Sequence, residues 1–120
     1  MGDYRSLKAW QHAHELALEV YRVTSRYPKH EVYALTSQTR RSAASIPTNL
    51  AEGAGRNSQR ELARFARISL GSGSELDYQL LLARDLGYLS EDEHAALAEK
   101  VDHLRRMLAN FIRAVATDNG

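Results

Sequence analysis

Apolar side chains recur every three or four residues along most of the chain, and turn-forming residues divide this pattern into four blocks. Such spacing predicts amphipathic helices, whereas no segment shows the strict alternation of a half-buried strand. The predicted helices cover about 6–27, 29–53, 58–87 and 90–116. Amphipathic helices with short connections favour an antiparallel up-and-down bundle. We therefore predict an all-α four-helix bundle, formed as a single domain by residues 1–120.

Stop and start signals support three of the boundaries. Pro28 ends the first block, because proline cannot continue a helix. Ser58 with Glu61, and Ser90 with Glu93, match the S-x-x-E capping box that opens many helices. These two pairs predict the starts of the third and fourth helices.

Glycine and proline predict further features. Gly53 and Gly87 are expected to close the second and third helices as left-handed caps. Pro47 removes one backbone hydrogen bond, so we expect a local bend in the second helix. The poor helix formers of residues 71–74 interrupt the third block, but the apolar pattern stays in register across them. A continuous helix is therefore preferred to a flexible break.

Apolar surface exceeds what a small bundle can hide. Eight residues fall partly outside the main apolar stripes: Leu18, Val20, Ile68, Leu70, Leu81, Leu82, Leu86 and Ile112. A subunit interface is the simplest destination for this surplus. The sequence therefore predicts a homo-oligomer.

The second block carries a row of polar residues beside its apolar stripe. Arg41, Ser45, Asn49 and Glu52 recur at helical spacing. A buried and unpartnered polar group costs several kcal/mol, so the row is either wet or paired. One interpretation is a hydrogen-bonded network, with Glu75 from the third block, that sets helix register or lies at a subunit interface. The alternative is a role in recognising a ligand.

Arginines are concentrated around the connection between the second and third helices. From Arg56 into the third block they follow at steps of four, four and three, which places them on one helix face. The candidate basic patch comprises Arg40, Arg41, Arg56, Arg60, Arg64 and Arg67. Nucleic-acid phosphates are the natural ligand of such a patch, and binding would depend strongly on salt. The alternative is a solvated face on which Glu61 pairs locally.

Composition excludes several classes of function. The net charge of +1 predicts no bulk attraction to nucleic acid, so binding needs a local patch. The absence of cysteine excludes disulfides, thiol catalysis and cysteine-ligated metal clusters. No apolar run is long enough to span a membrane, and the first residues are too polar for a secretory signal. We expect a cytoplasmic protein without membrane contact.

Metal and redox sites are poorly supported. A di-iron bundle uses two Glu-x-x-His motifs, and the chain offers only Glu91-x-x-His94. His103 and Met107 have the spacing of haem ligands but are ordinary surface or core residues elsewhere. Nothing similar to a nucleophile elbow is present. The sequence therefore predicts no catalytic residue, no metal and no cofactor.

Several residue combinations then point to a known family. They are Leu7, Trp10, Ala13, Tyr21, Tyr27-Pro28, Glu31, Tyr33-Ala34-Leu35, Gln38, Arg40-Arg41, Ser45-Ile46, Asn49-Leu50-Ala51-Glu52-Gly53, Gly71-Ser72, Glu75-Leu76 and Leu86-Gly87-Tyr88-Leu89. In this combination the chain resembles the proteins encoded in intervening sequences of bacterial 23S ribosomal RNA genes, also called S23 proteins. Pro47 departs from the family pattern.

The resemblance implies a left-handed up-and-down bundle without enzymatic activity that assembles as a ring-shaped homopentamer. A relative, the accessory protein of diversity-generating retroelements, has a basic surface and works with a reverse transcriptase and nucleic acid. Two functions follow as expectations. The first is an oligomeric adaptor that binds RNA or DNA, in company with a nucleic-acid enzyme. The second is a protein-interaction scaffold whose arginines only keep it in solution.

Overall fold

The computed structural model describes residues 3–118, and this part of the chain contains α-helices, two short 3₁₀ turns and no strand. The helices are α1 Lys8–Thr24, α2 Leu35–Gly55, α3 Gln59–Asp85 and α4 Glu91–Asp118. The 3₁₀ turns, Tyr4–Ser6 and Lys29–Glu31, precede α1 and α2. The predicted all-α four-helix fold is confirmed.

Helices α2 and α3 lie antiparallel along their length. The Ser69 hydroxyl donates to the carbonyl oxygen of Ile46 at 2.8 Å, and the hydroxyl oxygens of Ser45 and Ser72 are 2.9 Å apart. The higher-numbered residue of α3 therefore pairs with the lower-numbered residue of α2, as in an antiparallel pair of helices. Both bonds cross directly between the helices, so they set the register of this pair.

Ion pairs close the bundle between its first and last helices. Lys100 of α4 donates to Glu19 of α1 at 2.6 Å, and Arg26, just beyond α1, pairs with Glu93 at the start of α4. These charges are partly exposed, so solvent screens both pairs and they contribute little to stability. The order of contacts, α1 with α2, α2 with α3, α3 with α4 and α4 with α1, is that of an up-and-down bundle.

The core occupies the axis of the bundle, and all four helices supply it. Its largest apolar side chains are almost inaccessible to water; they are Val20, Ile46, Leu50, Leu76, Leu80, Val101, Leu104 and Leu108. Burying such a side chain stabilises the fold by about 1.5–3 kcal/mol. This burial holds together helices whose polar contacts alone contribute little.

The predicted surplus of apolar surface is only partly present. Val20 and Ile112 lie in the core at 0% and 9% exposure, so their assignment to the surface is wrong. Leu18, Ile68 and Leu86 are 46%, 43% and 50% exposed. The remaining three, Leu70, Leu81 and Leu82, are partly buried.

The boundaries of the later helices agree with the sequence signals. Ser90 and Glu93 form the complete capping box, with the Glu93 amide donating to Ser90 Oγ and the Ser90 amide donating to Glu93 Oε1. Ser58 Oγ accepts from the Glu61 amide and caps α3. Gly87, with φ of +83°, follows α3 as the predicted left-handed residue. Helix α3 runs without a break through residues 71–74.

The start of α2 differs from the prediction. The helix begins at Leu35, not near Lys29, because the chain first makes a 3₁₀ turn. Glu31 in that turn accepts from the Leu35 amide at 3.2 Å and from the Tyr88 hydroxyl at 2.8 Å. A single carboxylate thus caps α2 and ties the turn to the connection before α4.

Gly53 does not cap α2, which continues to Gly55; the left-handed residue of the following turn is Asn57, with φ of 59°. A Cβ at position 53 would lie 2.8 Å from Phe65 Cβ and 3.2 Å from Leu62 Cα. The glycine therefore serves the close approach of α2 to α3, which local sequence signals do not reveal.

Gly53→Ala is expected to destabilise the protein by about 1–3 kcal/mol, because the new methyl group overpacks the contact with α3. Gly71→Ala is the matched control: it lies inside α3, and nothing is within 4 Å of its added Cβ. Better helix propensity should make this control more stable by up to about 1 kcal/mol. Urea unfolding at one fixed protein concentration compares the two. Equal stability of the two variants would contradict the packing role of Gly53.

Ionisation of the buried Tyr27 side chain makes the free energy of unfolding depend on pH in the alkaline range. Its ring is 6% exposed and lies 5.4 Å from that of Tyr88, and its hydroxyl has no hydrogen-bond partner among the described residues. Burial, helped by the Glu93 carboxylate and opposed by Arg26, raises the pKa of Tyr27 from 10.0 to about 12. The hydrogen bond to Glu31 raises the pKa of Tyr88 as well.

Because the folded pKa of Tyr27 is raised, its contribution is complete below pH 10 and is lost as pH rises from about 10 to about 12. Tyr27→Phe should therefore lessen the alkaline fall in unfolding free energy, leaving the smaller part due to Tyr88. Removing an unsatisfied buried hydroxyl should also stabilise the protein by about 1 kcal/mol at neutral pH. Denaturant unfolding across pH 7–12, with the exposed Tyr78→Phe as control, measures both effects. An unchanged pH profile for Tyr27→Phe would exclude this assignment.

Candidate nucleic-acid interface

Four of the arginines predicted at the α2–α3 corner are exposed and lie close to the connection between the two helices. Arg56 ends α2 as its C-cap, whereas Arg60, Arg64 and Arg67 follow one face of the first turns of α3. The α3 cap at Ser58 and the left-handed Asn57 fix where this face begins. We refer to these four residues as the arginine row.

Two members of the arginine row have carboxylate partners. Arg56 Nε donates to Glu52 at 3.1 Å, and Arg64 Nε donates to Glu61 at 3.0 Å. The Arg64 bond is the main reason that the pKa of Glu61 lies below its usual value; the positive charges of Arg56 and Arg60 add to it. Glu61 therefore stays ionised at neutral pH and offsets part of the local charge.

The other two members have no such partner. In the part of the chain that the structure describes, no hydrogen bond or ion pair involves the side chain of Arg60 or Arg67. Four guanidinium groups thus face two carboxylates, and the surplus positive charge lies on α3. Glu61 does pair locally, as the solvated-face interpretation expects, but it pairs with one arginine only.

Phe65 supports two of the guanidinium groups. The Arg56 and Arg64 guanidinium carbons lie 5.2 and 4.4 Å from the centre of its ring. Phe65 itself is 8% exposed. Its ring positions the arginines by cation–π contact but is too covered to stack with a base.

Arg40 bonds to α1 and does not join this row, which corrects its place in the predicted patch of six arginines, whereas the membership of Arg41 stays a prediction. Arg40 and Arg56 are separated by about 24 Å along α2, at about 1.5 Å per residue. Because α3 runs antiparallel to α2, with Ser69 beside Ile46, Arg60 and Arg64 lie beside the end of α2 and Arg67 lies nearer its middle. Arg40 instead reaches α1, where Nε donates to Thr24 Oγ1 at 2.8 Å and Nη2 donates to the Tyr21 carbonyl at 3.2 Å.

Arg41 is exposed near the start of α2, where it lines a groove with Tyr21 and Tyr33. No local sequence signal associates these tyrosines with the arginines. Tyr21 lies in the apolar stripe of α1, and Tyr33 lies in a turn that was predicted to be helix. Only the packing of α1 against α2 brings them together.

The polar row on α2 forms a smaller network than predicted. Asn49 Nδ2 donates to the Ser45 carbonyl at 2.8 Å and to Ser45 Oγ at 3.0 Å, and Ser45 Oγ is bonded to Ser72 on α3. Ser72 is an additional member, recognisable in the sequence only as a small residue on the buried face of α3. Arg41, Glu52 and Glu75 are exposed and lie outside the network.

Metal and membrane sites find no support in this geometry. Among residues 3–118, no group of three or more histidine, aspartate or glutamate side chains is placed to hold a metal ion. None of the helices in that range has the length and apolar content required to span a bilayer.

The model of the 23S rRNA-intervening sequence protein family matches residues 5–110. The chain belongs to this family. Its fold is also similar to the crystal structure of a protein of unknown function from the S23 ribosomal protein family of Bacteroides thetaiotaomicron VPI-5482, with a TM-score of 0.81 and 18% identity over 88% of this chain and 95% of that chain. No curated protein matches the chain. The match indicates no class of enzyme, and the resemblance to the S23 proteins is confirmed.

In this 23S rRNA-intervening sequence protein, Ser72→Ala should remove the bond that links the α2 network to α3. The expected loss is about 1 kcal/mol of unfolding free energy, because Ser72 is 6% exposed and Ser45 Oγ then loses one partner. Ser74→Ala, at an exposed position two residues further along α3, should instead gain a few tenths of a kcal/mol from helix propensity. Urea unfolding of both variants tests the difference. If Ser72→Ala were as stable as Ser74→Ala, the interhelical bond would contribute nothing.

Proposed function

We propose that this protein is a non-enzymatic oligomeric adaptor that binds the phosphates of RNA or DNA through the arginine row. The observation that carries the proposal is the pair Arg60 and Arg67, which are exposed and have no acidic partner among the described residues. Exposed guanidinium groups without carboxylates are available for bidentate contacts with phosphate. A helix that used its arginines only for solvation would need no such surplus.

The spacing of the arginine row creates electrostatic repulsion between neighbouring side chains, and a bound anion would relieve it. Arg60 and Arg64 are four residues apart, and Arg64 and Arg67 are three apart, so like charges face each other along α3. Like charges at this spacing destabilise a helix, and here Glu61 offsets part of the repulsion at Arg64. Phosphates along a nucleic-acid backbone would replace this repulsion by attraction. Their binding would be favourable in electrostatic terms without any reading of sequence.

Oligomerisation fits the apolar residues that the bundle leaves exposed. Leu18, Ile68 and Leu86 each expose more than 40% of their surface, and Ile68 follows directly after Arg67. We propose that a homo-oligomer covers part of this surface, with five subunits on the family resemblance. Each arginine row is then repeated around the assembly, and simultaneous contacts raise the overall affinity. A nucleic-acid enzyme is the partner that such an adaptor would serve.

The exposed apolar residues also favour a second candidate function. A scaffold for other proteins would use the same surface while the arginines remained in water. This alternative differs from the adaptor in one measurable respect, since it requires no affinity for phosphate.

Arg60→Gln with Arg67→Gln separates the two functions. Neither side chain has an ion pair in the described structure, so the variant should keep its fold and oligomeric state. For labelled duplex RNA and DNA, fluorescence anisotropy between about 50 and 200 mM salt should show weaker binding. The slope of log affinity against log salt should fall in magnitude by about 2 for each protomer in contact with the duplex.

The matched control is Arg84→Gln with Arg106→Gln, which removes the same charge from residues that are paired with Asp85 and Asp102. It should leave the slope nearly unchanged. Size-exclusion chromatography checks that both variants assemble as the wild type does. A wild-type protein without duplex binding at about 50 mM salt, or equal effects of the two double variants, would reject the arginine row as the binding site.

A further inference from the structure

A groove outside the arginine row lies at the start of α2, where the end of α1 and the turn before α2 meet it. Its volume is about 390 Å³, within the range of about 300–1,000 Å³ typical of small-ligand sites. Tyr21 from α1, Tyr33 from the turn, and Ser37, Arg40 and Arg41 line it. None of the functions described above uses this groove.

Two tyrosines present their rings to solvent here. Tyr33 is 95% exposed and Tyr21 is 46% exposed. The Tyr33 ring packs against nothing in the described monomer. A buried aromatic ring stabilises a fold more than most side chains do, and Tyr33 makes no such contribution here. An exposed ring beside a groove is a surface on which another flat group can stack.

Arg40 lines the groove on the side of Tyr21 and is held there by contacts with α1. Its guanidinium carbon lies 4.8 Å from the centre of the Tyr21 ring, and its bonds to Thr24 Oγ1 and the Tyr21 carbonyl hold it in place. The guanidinium group thus lies over the Tyr21 ring and is already ordered before a ligand binds. Arginine planes and aromatic rings are the groups on which unpaired bases stack.

The charge of the groove selects an anionic ligand. Arg41 is exposed and has no partner among the described residues, and no carboxylate lines the groove. The nearby Glu31 is largely covered and is engaged with Tyr88 and Leu35. The acids of α1, Glu15 and Glu19, instead line a different groove on the side of α4. The Arg41 guanidinium group can therefore attract a phosphate, because no carboxylate in the groove competes for it.

From these contacts we infer that the groove binds single-stranded nucleic acid, with one base stacked on Tyr33 against the Tyr21–Arg40 surface and a neighbouring phosphate on Arg41. A duplex keeps its bases stacked on each other, so it cannot present a free base face to Tyr33. Single strands can. The inference rests on the proposed function in that the ligand class is nucleic acid, but it names a separate site and a separate form of the ligand.

The test compares a labelled single-stranded oligouridine or oligothymidine of 12 nucleotides with a duplex of the same length. Tyr33→Ala should weaken single-strand binding by about 5- to 100-fold, the range that the loss of one stacked base produces. Tyr33→Phe keeps the ring and should bind nearly as well as the wild type. Tyr78→Ala, at a ring on α3 that is 60% exposed, is the matched control and should have no effect.

Two further outcomes separate this site from the arginine row. Tyr33→Ala should leave duplex binding unchanged, whereas the Arg60 and Arg67 variant should weaken the duplex more than the single strand. If the Arg60 and Arg67 variant bound the duplex as the wild type does while Tyr33→Ala still weakened single-strand binding, the arginine row would be rejected as the duplex site and the groove would be kept as the single-strand site. Single-strand binding that is the same in Tyr33→Ala and the wild type would overturn the inference. Absence of single-strand binding in the wild type at about 50 mM salt would also overturn it and leave a protein segment as the ligand of the groove.

Discussion

The close approach of α2 to α3 controls the register of the bundle and the position of its charged side chains. Small residues make it possible: Gly53 has no room for a methyl group beside Phe65, and Ser69 and Ser72 lie buried in the same contact. Their hydroxyls bond across to α2, so polar atoms enter the interface without losing their partners. Tight packing and hydrogen bonds thus specify one register, and a slip of one turn would break both.

That register decides where the charges lie. Because Phe65 contacts Gly53, the beginning of α3 is held against the end of α2, and Arg56 and Arg64 share one aromatic ring. The same packing direction leaves Arg40 at the distant end of α2, where Thr24 and Tyr21 engage it. The contact between α2 and α3 therefore places Arg56 and Arg64 at one end of α2, far from Arg40 at the other end.

The net charge of +1 conceals this separation of charge. Carboxylates of Glu15, Glu19 and Glu99 gather around the α1–α4 groove, with Lys100 bonded to Glu19. Positive charge gathers at the α2–α3 corner and along the α1–α2 face. Fields of opposite sign on different faces of a small bundle allow phosphate to be attracted to one side, even though the whole molecule is nearly neutral.

The helical fold, the family and most of the later helix ends could be predicted from the sequence, because periodicity, capping boxes and Gly87 act through neighbours a few residues away. Local signals failed where distant contacts decide the role of a residue. Gly53 has the appearance of a cap and is a packing residue, and Val20 and Ile112 fall outside the stripes yet lie in the core. Periodicity states which side of a helix a residue occupies, but not which helix covers that side. For that reason the packing of α1 against α2, and no local signal, directs Arg40 to Thr24 and Tyr21 and places Arg40 and Arg41 in one groove with Tyr21 and Tyr33.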